Sequence, residues 1–282
     1  MSKKKNLLRA AGVLLLAVLL GGCLYLNSLM PIITGYAAKN LASAVFVSGR
    51  DPADVEALDL HFSFIQYTRN KVDREKGTVT SRFLWSKSVA AYREGYGVTL
   101  LRGKNAAELQ AEAFPLPLEY DVREPLEPGD SALCARLEPI AQALVDEQAY
   151  NGTPFAFVVL HDGEIVAERY RKGISAETPL LSWSMAKSFT NALAGIMAAD
   201  SLVDIYAPTG IPEWKDDERS AITLNDLMQM QSGLEWNEDY GNRSDVNLML
   251  HKAQDMGLLP LTSPWLTSPA PTGIIRAAAR TS

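Results

Sequence analysis

The sequence predicts a mixed α/β (α+β) chain behind an apolar N-terminal helix, and three observations carry that prediction. Residues 153–170 bear a hairpin signature, a helix with one apolar face follows from about residue 184, and residues 62–102 alternate often enough to suggest strands. Each element can be justified in chain order.

Ser2-Lys3-Lys4-Lys5-Asn6 and Arg9 precede an apolar run over residues 10–26, broken only by glycines. Counted from Leu7 the segment is about 20 residues, long enough to span a bilayer. Lysines before it favour a cytoplasmic N-terminus with the remainder exported. A signal peptide shares the basic region and the short apolar core. Leu20-Gly21-Gly22-Cys23 is an imperfect bacterial lipobox, which would make Cys23 a lipidated first residue. Against lipidation, Leu24-Tyr25-Leu26 continues the apolar run where a lipoprotein turns polar. Residues 1–33 therefore read as an N-terminal membrane anchor or a lipoprotein signal, with the anchor favoured. Both readings hold the rest of the chain to a membrane, outside the cytoplasm.

Residues 34–130 form a second region, part β. Val79-Thr80-Ser81-Arg82-Phe83-Leu84-Trp85 and Val98-Thr99-Leu100-Leu101 are its clearest strand candidates. Pro115, Pro117, Pro125 and Pro128 then mark an extended linker into a helix over 131–146. Phe155-Ala156-Phe157-Val158-Val159-Leu160 is apolar on both faces, as a buried central strand is. Asp162-Gly163 separates it from Ile165-Val166-Ala167-Glu168-Arg169-Tyr170, a strong hairpin signal. Phe189, Leu193, Ile196 and Met197 recur at helical spacing and give the next helix an inward face. Thr223-Leu224-Asn225-Asp226 resembles a capping box with Asp in the usual Glu position, opening a short helix over 224–230 that Ser232-Gly233 ends.

The chemistry lies in Ser182-Trp183-Ser184-Met185-Ala186-Lys187-Ser188-Phe189-Thr190. Residues three apart on a helix share a face, so the Ser184 hydroxyl and the Lys187 amine can meet. A serine becomes a nucleophile when an adjacent base takes its proton. A lysine serves as that base where burial or a cationic neighbour disfavours its charge. The spacing alone is weak, since Ser2-Lys3-Lys4-Lys5 fits it too, and a serine beside a surface lysine is the bland alternative.

Context sharpens the reading. The order of hairpin, SWSMAKSFTNALAGI and ITLNDLMQMQSGLEWNEDYGNRSDVNLML resembles the serine β-lactamase-like hydrolases, a family that includes penicillin-binding-protein-like esterases and 6-aminohexanoate-dimer hydrolases. The likeness runs from about Thr153 to Met256. More loosely, TGYAAKNL from Thr34, VFVSGRDP from Val45 and YREGYGVTL from Tyr92 look like the N-terminal extension of membrane-anchored members. The resemblance implies an antiparallel sheet flanked by helices plus a helical subdomain. It also implies an acyl-enzyme mechanism on a small ester, amide or β-lactam, with Ser184 as the acylated nucleophile and Lys187 as the base beside it. Tyr240 aligns with a tyrosine bordering the substrate pocket of amide-hydrolysing members; the alternative is a half-buried packing residue. The implied location is a bacterial inner membrane, with the hydrolase part on the periplasmic side.

The family also needs a Tyr-Ser or Tyr-x-Asn element well downstream and a closing strand with a His/Lys-Thr-Gly-like motif, which donates part of the oxyanion hole. Tyr240-Gly241-Asn242 spells the first but sits in the earlier segment, and Pro271-Thr272-Gly273 is too bare for the second. The hydrolase-like part is thus read as 131–256, an N-terminal portion of the domain and incomplete. Residues 257–282, rich in proline and without tyrosine or acidic residues, read as an aberrant tail of a truncated, frameshifted product. The alternative is a true short variant whose tail folds differently. Truncation would leave the 155–160 strand with an open edge and impair activity, which makes a non-catalytic remnant or a penicillin-recognising protein without turnover the rival function.

Composition sets the remaining bounds. The net charge is −6, and the basic residues cluster only at the N-terminus, which argues against nucleic-acid binding. His61, His161 and His251 are too scattered for metal-ligand spacing, so no metal or other cofactor is expected. Cys23 and Cys134 are poorly placed to pair. The expected partners are a small ester or amide substrate and, through the N-terminal segment, a membrane; oligomeric state is left open.

Overall fold

Helix α1 does not end where its apolar run ends. The computed structural model describes residues 2–112, 126–147, 149–150 and 152–264, and in it α1 runs unbroken over Ser2–Phe46. The sequence boundary at residue 33 is a change of surroundings rather than of secondary structure. Residues 10–26 are exposed along their whole length, whereas Thr34, Ala37, Ala38, Leu41, Ala42 and Val45 are buried. That three-and-four spacing gives the second half one core-facing stripe. Its small residues let the helix approach a sheet closely.

The sheet is an antiparallel meander in sequence order, following α2 (Pro52–Leu58): β1 (Arg69–Asp73), β2 (Thr78–Phe83), β3 (Ser86–Arg93) and β4 (Gly97–Leu100). Strands β2 and β4 fall where the sequence alternation put them. Val79, Ala90, Val55, Leu60 and Ile65 complete the core under α1. Strand β3 lies alongside the helix and in step with it. Trp85, just before β3, donates its indole N–H to Asn27 Oδ1 (3.0 Å), Ser88 bonds Thr34 (Oγ–Oγ1 2.7 Å), and Tyr92 stacks on Phe46 (5.8 Å between ring centres). Helix α3 (Ala106–Ala111) follows, opened by a capping box from Asn105 and Glu108.

Beyond it, Pro115, Pro117 and Pro125 of the expected linker lie outside the described residues, while Pro128 bridges Ile165. Helix α4 (Ser131–Val145) starts at the N-cap Asp130 and packs on a two-stranded hairpin, β5 (Ala156–His161) and β6 (Glu164–Tyr170). The turn is as the sequence requires: Asp162 and Gly163 both have positive φ, 53° and 87°, the geometry Asp-Gly favours in a tight hairpin. Helices α5 (Ala186–Ala199), α6 (Leu224–Met228), α7 (Asp245–His251) and α8 (Leu258–Leu261) complete the described chain. Both capping-box bonds expected at Thr223 and Asp226 are present, but α6 stops at Met228 because Met230 turns to a positive φ of 57°.

Two expectations are corrected. Strand β5 was expected to be central and buried, yet among the described residues it pairs only with β6, and Val158 and Leu160 are exposed. The apolar face of α5 was expected to point inward, yet Phe189 is 71 % and Leu193 60 % exposed, with Ile196 and Met197 exposed as well. One physical reason covers both: no described segment covers the face of β5 that carries Val158 and Leu160 or the face of α5 that carries Phe189, Leu193, Ile196 and Met197. The start of the presumed tail, by contrast, is integrated. The Leu261 carbonyl accepts from the buried Trp214 indole (2.9 Å) and from Arg219 (2.9 Å), and the Pro264 carbonyl accepts from the Glu235 N–H (2.8 Å). Residues 265–282, the rest of that tail, lie outside the described residues.

The N-terminal and C-terminal halves meet at Arg102. Its guanidinium donates to the carbonyls of His251 (2.6 and 2.9 Å) and Pro31 (3.1 Å) and to Ser88 Oγ (2.9 Å). Gly35 makes room for this contact, since a Cβ there would come within 2.8 Å of Arg102 Nη2 and 3.0 Å of the His251 oxygen.

Candidate active site

Ser184 sits in a single 3₁₀ turn, Trp183–Met185, that leads directly into α5. Residues i and i+3 share a face at a helix start, which brings Lys187, in the first turn of α5, back over the serine. The Lys187 amine donates to Ser184 Oγ at 3.1 Å. The two residues expected to meet do so, and both are exposed. The turn is entered through a strained backbone, since Trp183 has φ 45° and no Cβ-bearing aromatic residue adopts that region easily. Such a conformation persists where its surroundings fix it. Here the Trp183 ring stacks on Tyr36 of α1, 6.5 Å between centres and 19° from parallel.

Tyr36 is the hub of an aromatic group. It meets the edge of Phe62 at 5.5 Å and the tilted ring of His251 at 5.5 Å. Two further contacts tie the N-terminal half to the segment before the Ser184 turn. Ser48 donates to the Pro179 carbonyl (2.5 Å), and the Arg50 guanidinium lies 4.3 Å over the Phe155 ring. Sequence reasoning missed these positions, because nothing local in TGYAAKNL or VFVSGRDP reports a contact more than a hundred residues away.

Tyr240 bonds within its own loop. Its hydroxyl donates to Glu238 Oε1 at 2.7 Å, a bond that holds the phenol above its ordinary 10.0, with smaller contributions from desolvation and the Glu238 charge. The side chain is exposed, and its hydrogen bond does not involve Ser184 or Lys187. Its loop is organised by a residue the sequence did not single out. Buried Asn247 donates through Nδ2 to the carbonyls of Asp239 (3.3 Å), Tyr240 (3.0 Å) and Asn242 (2.7 Å). An amide two residues inside a helix N-terminus, after a polar loop, was the available signal.

Cys23 lies within unbroken α1, exposed and free. His251 is buried, and desolvation first, then the charges of Lys39 and Arg102, push its imidazole down to about 4. Its Nδ1 has no hydrogen-bond partner among the described residues.

Comparison with known proteins agrees with the motif order. Residues 137–259 match the family described as Beta-lactamase. A segment of 122 residues, 42 % of this chain, is 30 % identical to a 6-aminohexanoate-dimer hydrolase of Paenarthrobacter ureafaciens. The match covers 31 % of that relative, so the chain spans about a third of the length of the curated protein it resembles.

Proposed function

We propose that the chain, whose residues 137–259 match the family described as Beta-lactamase, acts as a membrane-anchored acyl-transfer hydrolase with Ser184 as nucleophile and Lys187 as its base. The observation that carries this is the 3.1 Å bond between Lys187 Nζ and Ser184 Oγ at the head of α5. In the proposed reaction the amine takes the hydroxyl proton as Oγ attacks a carbonyl carbon. The proton then passes to the leaving amine or alcohol, and water releases the acyl group. A lysine is a base at neutral pH only when its charged form is disfavoured, so the substrate or another segment must cover this exposed pair during acylation. The substrate class is a small ester, amide or β-lactam. The relative named for hydrolysing a 6-aminohexanoate dimer supports the amide. Tyr240 is proposed to border the substrate, its loop fixed by Asn247.

Anchoring is proposed through α1. The continuity of the helix from its exposed apolar half into the core at Thr34–Val45 supports an uncleaved anchor over lipidation at Cys23. The hydrolase part then faces the periplasm of a bacterial inner membrane.

The open edge of β5 and the bare face of α5 favour a second reading, a protein that retains part of the fold without turnover. Labelling of the full chain with a fluorophosphonate separates the two. The first reading requires covalent labelling at Ser184, none in Ser184→Ala, and a rate lowered about 10²- to 10⁴-fold in Lys187→Met. Absence of label in the wild type, or label undiminished in Ser184→Ala, leaves the second.

A further inference from the structure

The end of the meander nearest the apolar half of α1 has an unusual surface. Leu84 and Trp85 form the β2–β3 turn and are 67 % and 59 % exposed, and Phe64, whose ring packs at 6.4 Å on Phe83, is 61 % exposed. Isolated apolar residues on a surface need no explanation, but three together at a turn tip do. Behind the tip stand three cations in register, Arg69 opposite Arg82 and Arg82 opposite Lys87. Cross-strand partners share a face of the sheet, and like charges placed there repel. All three are exposed, and among the described residues none has a carboxylate within 4.0 Å. They point away from α1, because their neighbours Ser81 and Ser88 are the buried ones.

The height of this patch along α1 is fixed. The Trp85 indole is bonded to Asn27, and Asn27 follows directly on the last residue of the apolar run, Leu26. A helix rises about 1.5 Å per residue, so the tip lies level with the end of the apolar run that would cross the membrane. Tryptophan with its N–H satisfied and its ring exposed suits a membrane–water boundary, and basic side chains just outside an apolar surface suit anionic headgroups.

We propose that the β2–β3 tip docks into the interface of the bilayer that α1 spans: Leu84, Trp85 and Phe64 enter the headgroup layer while Arg69, Arg82 and Lys87 meet lipid phosphates. This rests on the anchor reading above. The occupant is a lipid surface because charge complementarity and the abutting apolar helix both point there. The docking gives the chain a second attachment, which fixes its rotation about α1.

The test uses the full chain reconstituted into vesicles of phosphatidylcholine and phosphatidylglycerol, with lipids brominated near the carbonyl end of the acyl chain as quenchers. Docking requires a bromolipid-dependent loss of tryptophan emission that Trp85→Phe abolishes. Replacing Arg82 and Lys87 by glutamine lowers the docked-to-undocked ratio about fivefold per charge on the anionic vesicles, and leaves it unchanged on phosphatidylcholine alone. A chain that resists carbonate extraction yet shows the same quenching in Trp85→Phe overturns the docking. An equal response of the glutamine variant on both vesicle types overturns its electrostatic half. Extraction of the chain by carbonate overturns the anchor reading, and the docking with it.

Discussion

His251 makes the stability of the junction between the two halves depend on pH. The imidazole is 6 % exposed, packs against Tyr36, and faces Lys39 and Arg102 with Nδ1 unpartnered. In the folded chain it binds its proton at about 4 instead of 6.5. The unfolded chain therefore holds more protons between those values, and stability rises with pH across the window. It is fully present above about 6.5 and is lost as pH falls toward 4. Each pH unit inside the window is worth about 1.4 kcal/mol, so lowering the pH from 7.5 to 5 removes about 2 kcal/mol through this one residue. Carboxylates titrate nearby in pH, so the measurement is a difference. Urea unfolding of the full chain in detergent micelles is followed for wild type and His251→Leu at both pH values. The substitution leaves no acceptor stranded, because Arg102 bonds the backbone carbonyl of residue 251 and not its ring. The advantage of wild type over the variant is expected to shrink by about 2 kcal/mol at the lower pH. A gap that stays constant between pH 7.5 and 5 refutes the buried, neutral histidine.

Two further outcomes are expected. Arg50→Met leaves Asp59, now bonded at 2.6 and 3.0 Å, and Asp54, at 3.0 Å, without their cation beside a nearly buried site; chemical denaturation should show a loss of about 3 kcal/mol, largely restored by adding Asp59→Asn. Gly35→Ala gains about 1 kcal/mol of helix propensity, yet should lower the melting temperature because the added methyl meets the His251 carbonyl, whereas Gly22→Ala, with nothing within 4 Å, should not.

The parts of this molecule that were legible in its sequence are those governed by neighbours in the chain. The Asp162-Gly163 turn, the Thr223–Asp226 capping box and the approach of Lys187 to Ser184 each depend on residues within a few positions. The continuation of α1 past residue 33 was less visible, because Thr34–Leu41 was read by its likeness to a known extension. Its spacing of Thr34, Ala37, Ala38 and Leu41 already described a helix face. The buried character of β5 was read from an apolar run and that of α5 from the helical spacing of Phe189, Leu193, Ile196 and Met197, and such patterns state only what a surface favours. Whether a partner covers it depends on segments elsewhere. Tyr36, Arg102 and Asn247 were silent for the same reason, since their roles come from contacts made across the fold.

The continuity of α1 from residue 2 to residue 46 bears on what can reach Ser184. Tyr36, on which Trp183 rests, lies ten residues beyond Leu26 on one continuous helix, which is about 15 Å of rise. On the proposed anchor reading, with Leu26 at the bilayer boundary, the helix would set the height of the Ser184 turn above the lipid. Molecules dissolved in the aqueous layer at that level would then meet it, while those confined to the acyl region would not.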